Sequence, residues 1–359
     1  MADLDRPLSY AESDPSGLGG RIRTMPQQCK AAWRKGMAVS YPAEWSSSKS
    51  VTICGMGGSA VAGDLLSDLV AGANGPMVRV VRGYEFPFRV DPQSLIVVCS
   101  YSGDTQETIS LFKQAKAADA KIIVASGGGF LTEEAIHAGI PLLKVDIPGE
   151  PRSAVGYNLM LLAASLTQLG MWSIPQSEVD DSFEALAHQA NHLAEDRPTG
   201  SNDAKDLALK VREKLVVIYG GGLFSGLARR WKAQLNENGK IWAWHEEIPE
   251  LLHNSVEAYA SQPHIKEALA AVVLRPELKD DLEAAHYGVA EEMLASNSIP
   301  LHVVQAPQGI PPLGQLLTTM IMGDYLSYYL AILGGSDPSP TPNIVMGKEI
   351  LGRLSGARH

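Results

Sequence analysis

The sequence predicts an α/β protein: two successive units, each a parallel sheet flanked by helices in a flavodoxin-like, three-layer sandwich. Three observations predict it. Short apolar runs end at Gly- or Ser-rich turns and lead into helical patterns. This strand, turn, helix order occurs at residues 51–70 (VTICGMGGSAVAGDLLSDLV) and restarts at 215–226 (LVVIYGGGLFSG), a weak internal repeat. The runs are continuously apolar rather than alternating, as in parallel strands covered on both faces.

Taken in order, residues 1–16 read as a loose, polar, acidic arm without a signal-peptide core. Residues 18–37 suit a helix with a break at Met25-Pro26. Strands are predicted at the start of 51–70 and at 77–83, 95–99, 121–126 and 141–146. A long apolar helix follows at about 153–169. Residues 175–208 are more charged and mostly helical, and read as a connector. The second unit has strands at about 215–220, 241–245, 269–274 and 300–306, a helix at about 277–295 and a long apolar helix at about 313–333. A Pro-rich loop, DPSPTPN at 337–343, precedes a short terminal helix. The organisation is therefore 1–50 arm and helix, 51–172 first unit, 173–208 connector, 209–335 second unit and 336–359 terminal loop and helix.

Composition narrows the function. The chain has 359 residues, 45% hydrophobic and 19% charged, with a formal charge of −10 and a pI near 5.4. No basic stripe suggests nucleic acid. No unbroken apolar run reaches the length of a membrane span. Three cysteines (Cys29, Cys54, Cys99) cannot all pair, which fits a reducing cytoplasm.

The stretch LIVVCSYSGDTQET (95–108) carries the clearest chemistry. Ser100, Ser102 and Thr105 crowd the end of a buried strand and the start of a helix. There the free N–H groups and the positive helix end favour an anion. No Lys or Arg lies in this loop, which suits a small phosphate monoester better than a nucleoside triphosphate. The plain alternative is a Ser-Gly turn that caps a helix. Upstream, Gly55-Met56-Gly57-Gly58-Ser59-Ala60 fits the dinucleotide pattern G-x-G-x-x-A, but the usual acidic residue is replaced by Arg82 and Gly83. An NADP reading and a sugar-contact reading, with Gly58 and Ser59 beside the ligand, both remain open on these residues.

Glu237 closes a helix, where the helix dipole disfavours a carboxylate. His253 follows a Pro-initiated turn. A Glu and a His are the usual pair for moving protons on carbon and oxygen; the plain alternative is a surface Glu and a capping His. Arg152 leads into an apolar helix, and Lys348 lies on the terminal helix. His188 and His192 stand four residues apart, a metal-ligand spacing, but no base lies between them and no Cys cluster accompanies them.

Taken together, GMGGSAVAGD, SYSGDTQET, PRSA, NENGK followed by EIPELLHN, and DPSPTPN followed by Lys348 resemble the bifunctional phosphoglucose/phosphomannose isomerases, a branch of the sugar isomerase (SIS) domain group. The resemblance runs from about residue 18 to 354. Two departures stand out: Gly239 where Ala is common, and Gly347 where Leu is usual.

The resemblance implies two SIS domains, a homodimer with shared active sites, a hexose phosphate substrate, and no metal or nucleotide cofactor; charge and the lack of a long apolar run argue against nucleic-acid and membrane partners. It implies that Ser100, Ser102 and Thr105 cradle phosphate and that Gly58 and Ser59 contact the sugar. Arg152 would steady an enediolate. Glu237 would shuttle a proton between C1 and C2. His253, from the neighbouring subunit, and Lys348 would open the ring, with Thr341 nearby. The alternative from another class is a non-catalytic SIS module that senses a sugar phosphate.

Overall fold

The computed structural model describes residues 3–73, 75–278 and 280–355. Residues 1–2 of the expected arm and 356–359 of the expected terminal segment lie outside the described residues. Three helices open the chain: α1 (Pro7–Ser13), α2 (Leu18–Arg23) and α3 (Met25–Met37). The break expected at Met25-Pro26 is realised at Thr24, because Pro26 suits a first helical turn and not an interior. From residue 3 onward the arm is packed against the protein rather than loose. Leu4 and Tyr10 are buried, and the fully buried Lys205 ammonium donates to the carbonyl of Leu4 at 2.6 Å.

The first sheet holds β1 (Ser50–Cys54), β2 (Met77–Val81), β3 (Leu95–Ser100), β4 (Lys121–Ser126) and β5 (Leu142–Lys144). Its helices are α4 (Gly57–Ala71), α5 (Gln106–Ala117), α6 (Gly129–Ala138) and α7 (Val155–Gln168). All pairs are parallel, in the order β2-β1-β3-β4-β5. That is the flavodoxin-like order, whose switch point lies between β1 and β3.

The stretch between the sheets is α8 (Gln176–His192) and α9 (Asp203–Val211). The second sheet holds β6 (Leu215–Gly220), β7 (Ala243–Glu247), β8 (Leu269–Arg275) and β9 (Leu301–Gln305), again all parallel, in the order β7-β6-β8-β9. It repeats the first four strands of the first sheet. Its helices are α10 (Ser225–Glu237), α11 (Pro263–Ala268), α12 (Asp281–Ser296) and α13 (Pro312–Leu333); α14 (Pro342–Ser355) ends the described chain. The helix expected from residue 277 begins at Asp281, because the Asp280 carboxylate caps it by accepting from the N–H groups of Leu282 and Glu283.

Alternate side chains on each strand build separate cores. Val51, Ile53, Leu95 and Val97 of the first sheet share one apolar cluster with Val216, Ile218, Ala270 and Val272 of the second, through α4, α7, α10 and α13. Cys54, Ile96 and Val98 face a separate outer layer under α5 and α6. Tyr219, Ala271 and Val273 do the same under α12. The continuous apolar runs thus reflect coverage on both faces. The expected connector also joins this core: Val179 and Leu186 of α8 and Leu207 of α9 are buried with α13. By length and composition α13 could cross a membrane, but 94% of its apolar window is buried inside the protein, so it is a core helix.

Candidate active site

The site forms where the first sheet's switch point meets the C-terminal end of α10. After β1 the chain turns at Gly57, whose φ of 49° is left-handed and suits Gly. At Gly58 a Cβ would lie 2.8 Å from the carbonyl oxygen of Pro151 and 3.2 Å from the Arg152 Cα. The glycine therefore lets α4 seat directly against the 3-10 turn Pro151–Ala154. Ser59 is buried in the first turn of α4. Arg82, which the NADP reading needed, pairs instead with Asp64 of α4.

The hydroxyl loop closes on itself. Ser100 Oγ donates to Thr105 Oγ1 at 3.1 Å and accepts from the Gly103 N–H at 3.1 Å. Ser102 Oγ is exposed and accepts from the Asp104 N–H at 3.2 Å. Gly103 has a φ of 81°, and a Cβ there would collide with the Gly128 carbonyl. Thr105 is the N-cap of α5, but its side chain does not cap. Asp104 does not cap the helix either, since its carboxylate accepts from the Phe130 N–H at the start of α6. Helix α5 thus begins without a side-chain cap beside three hydroxyls, the arrangement that favours an anion.

Arg152 is 6% exposed and held from several sides. Its Nε donates to Asn238 Oδ1 at 2.5 Å. Its Nη2 donates to the carbonyls of Pro338 and Ser339 at 3.0 and 2.6 Å. Nη1 faces Glu237 Oε2 at 3.7 Å, too long for a hydrogen bond. Burial pushes the Arg152 guanidinium below its usual range, and the Glu237 carboxylate works against that shift. Glu237 ends α10 as expected and is partly exposed. The arginine offsets the unfavourable dipole there.

The DPSPTPN loop is the wall of this site. Its Ser339 side chain accepts from Arg21 Nη2 at 3.1 Å, and Arg21 pairs with Glu150 at 2.7 Å just before the Arg152 turn. Lys240 Nζ joins the carbonyl of Glu237 at 2.6 Å to that of Pro340 at 2.5 Å. Burial, and then the nearby Arg152 charge, lower the Lys240 pKa.

The structure therefore brings together Arg152, Glu237 and the loop that carries Thr341. Among the described residues, neither His253 nor Lys348 makes a hydrogen bond or ion pair with them. His253 closes the 3-10 turn Glu250–His253 after β7 and is exposed. Lys348 is exposed on α14, whose Val345, Met346 and Leu351 are also half or more exposed. Sequence reasoning missed Asn238, Lys240 and Ser339, all polar residues that hold Arg152 or its surroundings. His192 lies 3.4 Å from Asp203, and no group of three metal-ligating side chains occurs among the described residues.

Fold and site together define a protein of two SIS-type units. The SIS domain model matches residues 44–139, and the bacterial phospho-glucose isomerase C-terminal SIS domain model matches 200–351. The chain belongs to the family of bifunctional phosphoglucose/phosphomannose isomerases. It is 30% identical to the one from Caldicellulosiruptor bescii, over 93% of this chain and 98% of that one. Identity to the one from Aquifex aeolicus is 28%, over 84% and 90% of the two chains. A D-glucosamine-6-phosphate 4-epimerase from Sulfolobus acidocaldarius is 32% identical over 60% of this chain and 65% of its own.

Among solved structures, a hypothetical protein from Thermus thermophilus superposes with a TM-score of 0.74 at 18% identity, over 98% of this chain and 93% of that one. The tagatose-6-phosphate ketose/aldose isomerase of Escherichia coli gives 0.68 at 14%, over 91% and 96%. At these identities the likeness establishes the fold. Family membership makes the chain an isomerase and supports that reading over the sensing module.

Proposed function

We propose that this chain interconverts glucose 6-phosphate and/or mannose 6-phosphate with fructose 6-phosphate through an enediol. The observation that carries the reading is the Arg152–Glu237 pair, a carboxylate 3.7 Å from a guanidinium nitrogen that has no other partner among the described residues. Phosphate rests on Ser100, Ser102, Thr105 and the uncapped start of α5, far enough from C1 and C2 to supply binding energy without joining the chemistry. Gly58, Ser59 and Thr341 line the sugar.

Ring opening moves protons on the ring oxygen and the C1 hydroxyl, the role of His253 with Lys348. Glu237 then removes the proton from C2 of the aldose and returns it to C1, or the reverse for the ketose. As the C–H bond breaks, charge develops on the sugar oxygens. Nη1 of Arg152 is already aimed beside Glu237 and stabilises that charge without reorganising.

His253 is exposed and makes no hydrogen bond or ion pair with Glu237 among the described residues, which supports a homodimer in which it enters the neighbouring subunit's site. Three buried, unpaired cysteines favour a cytoplasmic location. The test is conversion of fructose 6-phosphate, followed by NMR of the product sugars. Formation of glucose 6-phosphate or mannose 6-phosphate is expected. Binding without turnover would favour the sensing module. Change at C4 of glucosamine 6-phosphate alone would move the chain toward its epimerase relative.

A further inference from the structure

We infer that the buried pair Arg230–Asp324, with Gln234, is a positioning device that holds Arg152 in place for the reaction. The inference rests on the assignment of Arg152 proposed above. Asp324 is the single charged residue of α13 and is 2% exposed. Burying a carboxylate in an otherwise apolar helix is costly unless it is fully paired. Arg230 Nη2 donates to both Asp324 oxygens at 2.8 Å, and Gln234 Nε2 donates to Oδ1 at 2.8 Å.

The pair does not end at α13. Arg230 Nη1 donates to the main-chain carbonyl of Arg152 at 3.2 Å. At the C-cap of α10, Asn238 accepts from Arg152 Nε and donates to Ser327 Oγ at 3.0 Å. Ser327 Oγ donates to the Asp324 carbonyl at 2.8 Å. Arg230, Gln234 and Asn238 stand four residues apart, so one face of α10 and its C-cap carries all three. Arg152 is thus fixed at two points, its carbonyl and its Nε, and both trace back to one turn of α13. With Nη2 held by the Pro-rich loop, Nη1 is left facing Glu237.

A role confined to holding the fold would leave kcat intact in any variant that folds. Asp324→Asn is the direct variant, but it strands Arg230 in the core. The triple variant Arg230→Met/Gln234→Met/Asp324→Leu replaces the pair and the amide that bonds to it with apolar groups of similar size, an exchange that is often neutral or stabilising for folding. Its thermal midpoint should stay within a few degrees of the parent. Its kcat for fructose 6-phosphate should fall at least tenfold, with KM changed by less than threefold. Added to Arg152→Ala, it should cost little more, because the residue it positions is gone. A stable triple variant with parental kcat, or a full additional loss on the Arg152→Ala background, would overturn the positioning role. Parental kcat in Arg152→Ala alone would overturn the assignment of Arg152 itself, a distinct result.

Discussion

Nη1 of Arg152 faces Oε2 of Glu237 at 3.7 Å, although one residue precedes α7 and the other ends α10. The remaining Arg152 donors are committed to Asn238, Pro338 and Ser339. Lys cannot reproduce this planar fork. Arg152→Lys should therefore keep the charge, lose the alignment and lower kcat by about 10²–10³, the usual cost of a misplaced oxyanion donor. Steady-state kinetics on fructose 6-phosphate checks this; a kcat within twofold of the parent would show that charge alone suffices.

Phosphate recognition should rest on the hydroxyl loop. Ser102 is exposed with one weak local contact, so Ser102→Ala should raise KM and spare kcat. Ser100 also orders the loop through Thr105 and Gly103, so the Ser100→Ala/Ser102→Ala protein should show the larger rise, on the order of tenfold per lost bond to a charged group. An unchanged KM in the double variant places the cradle elsewhere.

Stability should depend on Asp68. Its carboxylate reaches from α4 to the N–H of Gly226 at the start of α10, at 2.6 Å. Burial is the main force that pushes its pKa up to about 7, helped by Asp64 and Glu247 and opposed by the Gly226 bond. Between the unfolded value near 3.8 and about 7, the folded protein holds a proton that the unfolded chain releases. Stability contributed by this group is therefore lost as pH rises through that window and is constant above it. Asp68→Asn should reduce the fall in thermal midpoint between about pH 5 and about pH 8. An identical pH profile in parent and variant would remove Asp68 from this role.

Shared sites predict complementation. Inactive Glu237→Gln and inactive His253→Ala proteins, mixed under conditions of subunit exchange, should regain part of the activity. In a mixed dimer one site carries both defects and the other neither. Absence of recovery, with exchange proven by mass or fluorescence, would place both residues in one subunit's site.

Much of this was legible before the fold was known, and for physical reasons. The continuous apolar strands exist because both faces of each sheet are covered, as the shared core and the two outer layers show. Glu237 stood out because it opposes a helix dipole, and Ser100, Ser102 and Thr105 because they follow a buried strand. Position before an apolar helix says nothing of Arg152's burial, which depends on Asn238 and on the Pro338–Ser339 carbonyls, contacts between segments distant in sequence. Asp324 carried a readable signal, a lone charge in an apolar helix, but its partner Arg230 sits on another helix. Spacing along one chain could not reveal that pair.

One base should serve both hexose phosphates. Glucose 6-phosphate and mannose 6-phosphate differ only at C2, and both reach fructose 6-phosphate through an enediol. The epimers differ in which face of C2 receives the proton. Glu237 can serve both if the intermediate turns about its C2–C3 bond between transfers, which needs room beside those carbons. Gly57, Gly58, Ser59 and Thr341 are small, and the last lies on the loop that also holds Arg152. Glu237→Gln keeps the size and loses the base. It should lower kcat for both substrates by a similar large factor and leave KM nearly unchanged. Thr341→Leu should instead crowd the turning intermediate and slow one epimer more than the other, with the ratio of the two kcat/KM values as the readout. If Glu237→Gln abolishes turnover of one hexose phosphate and spares the other, two separate bases act and the single-base mechanism is wrong.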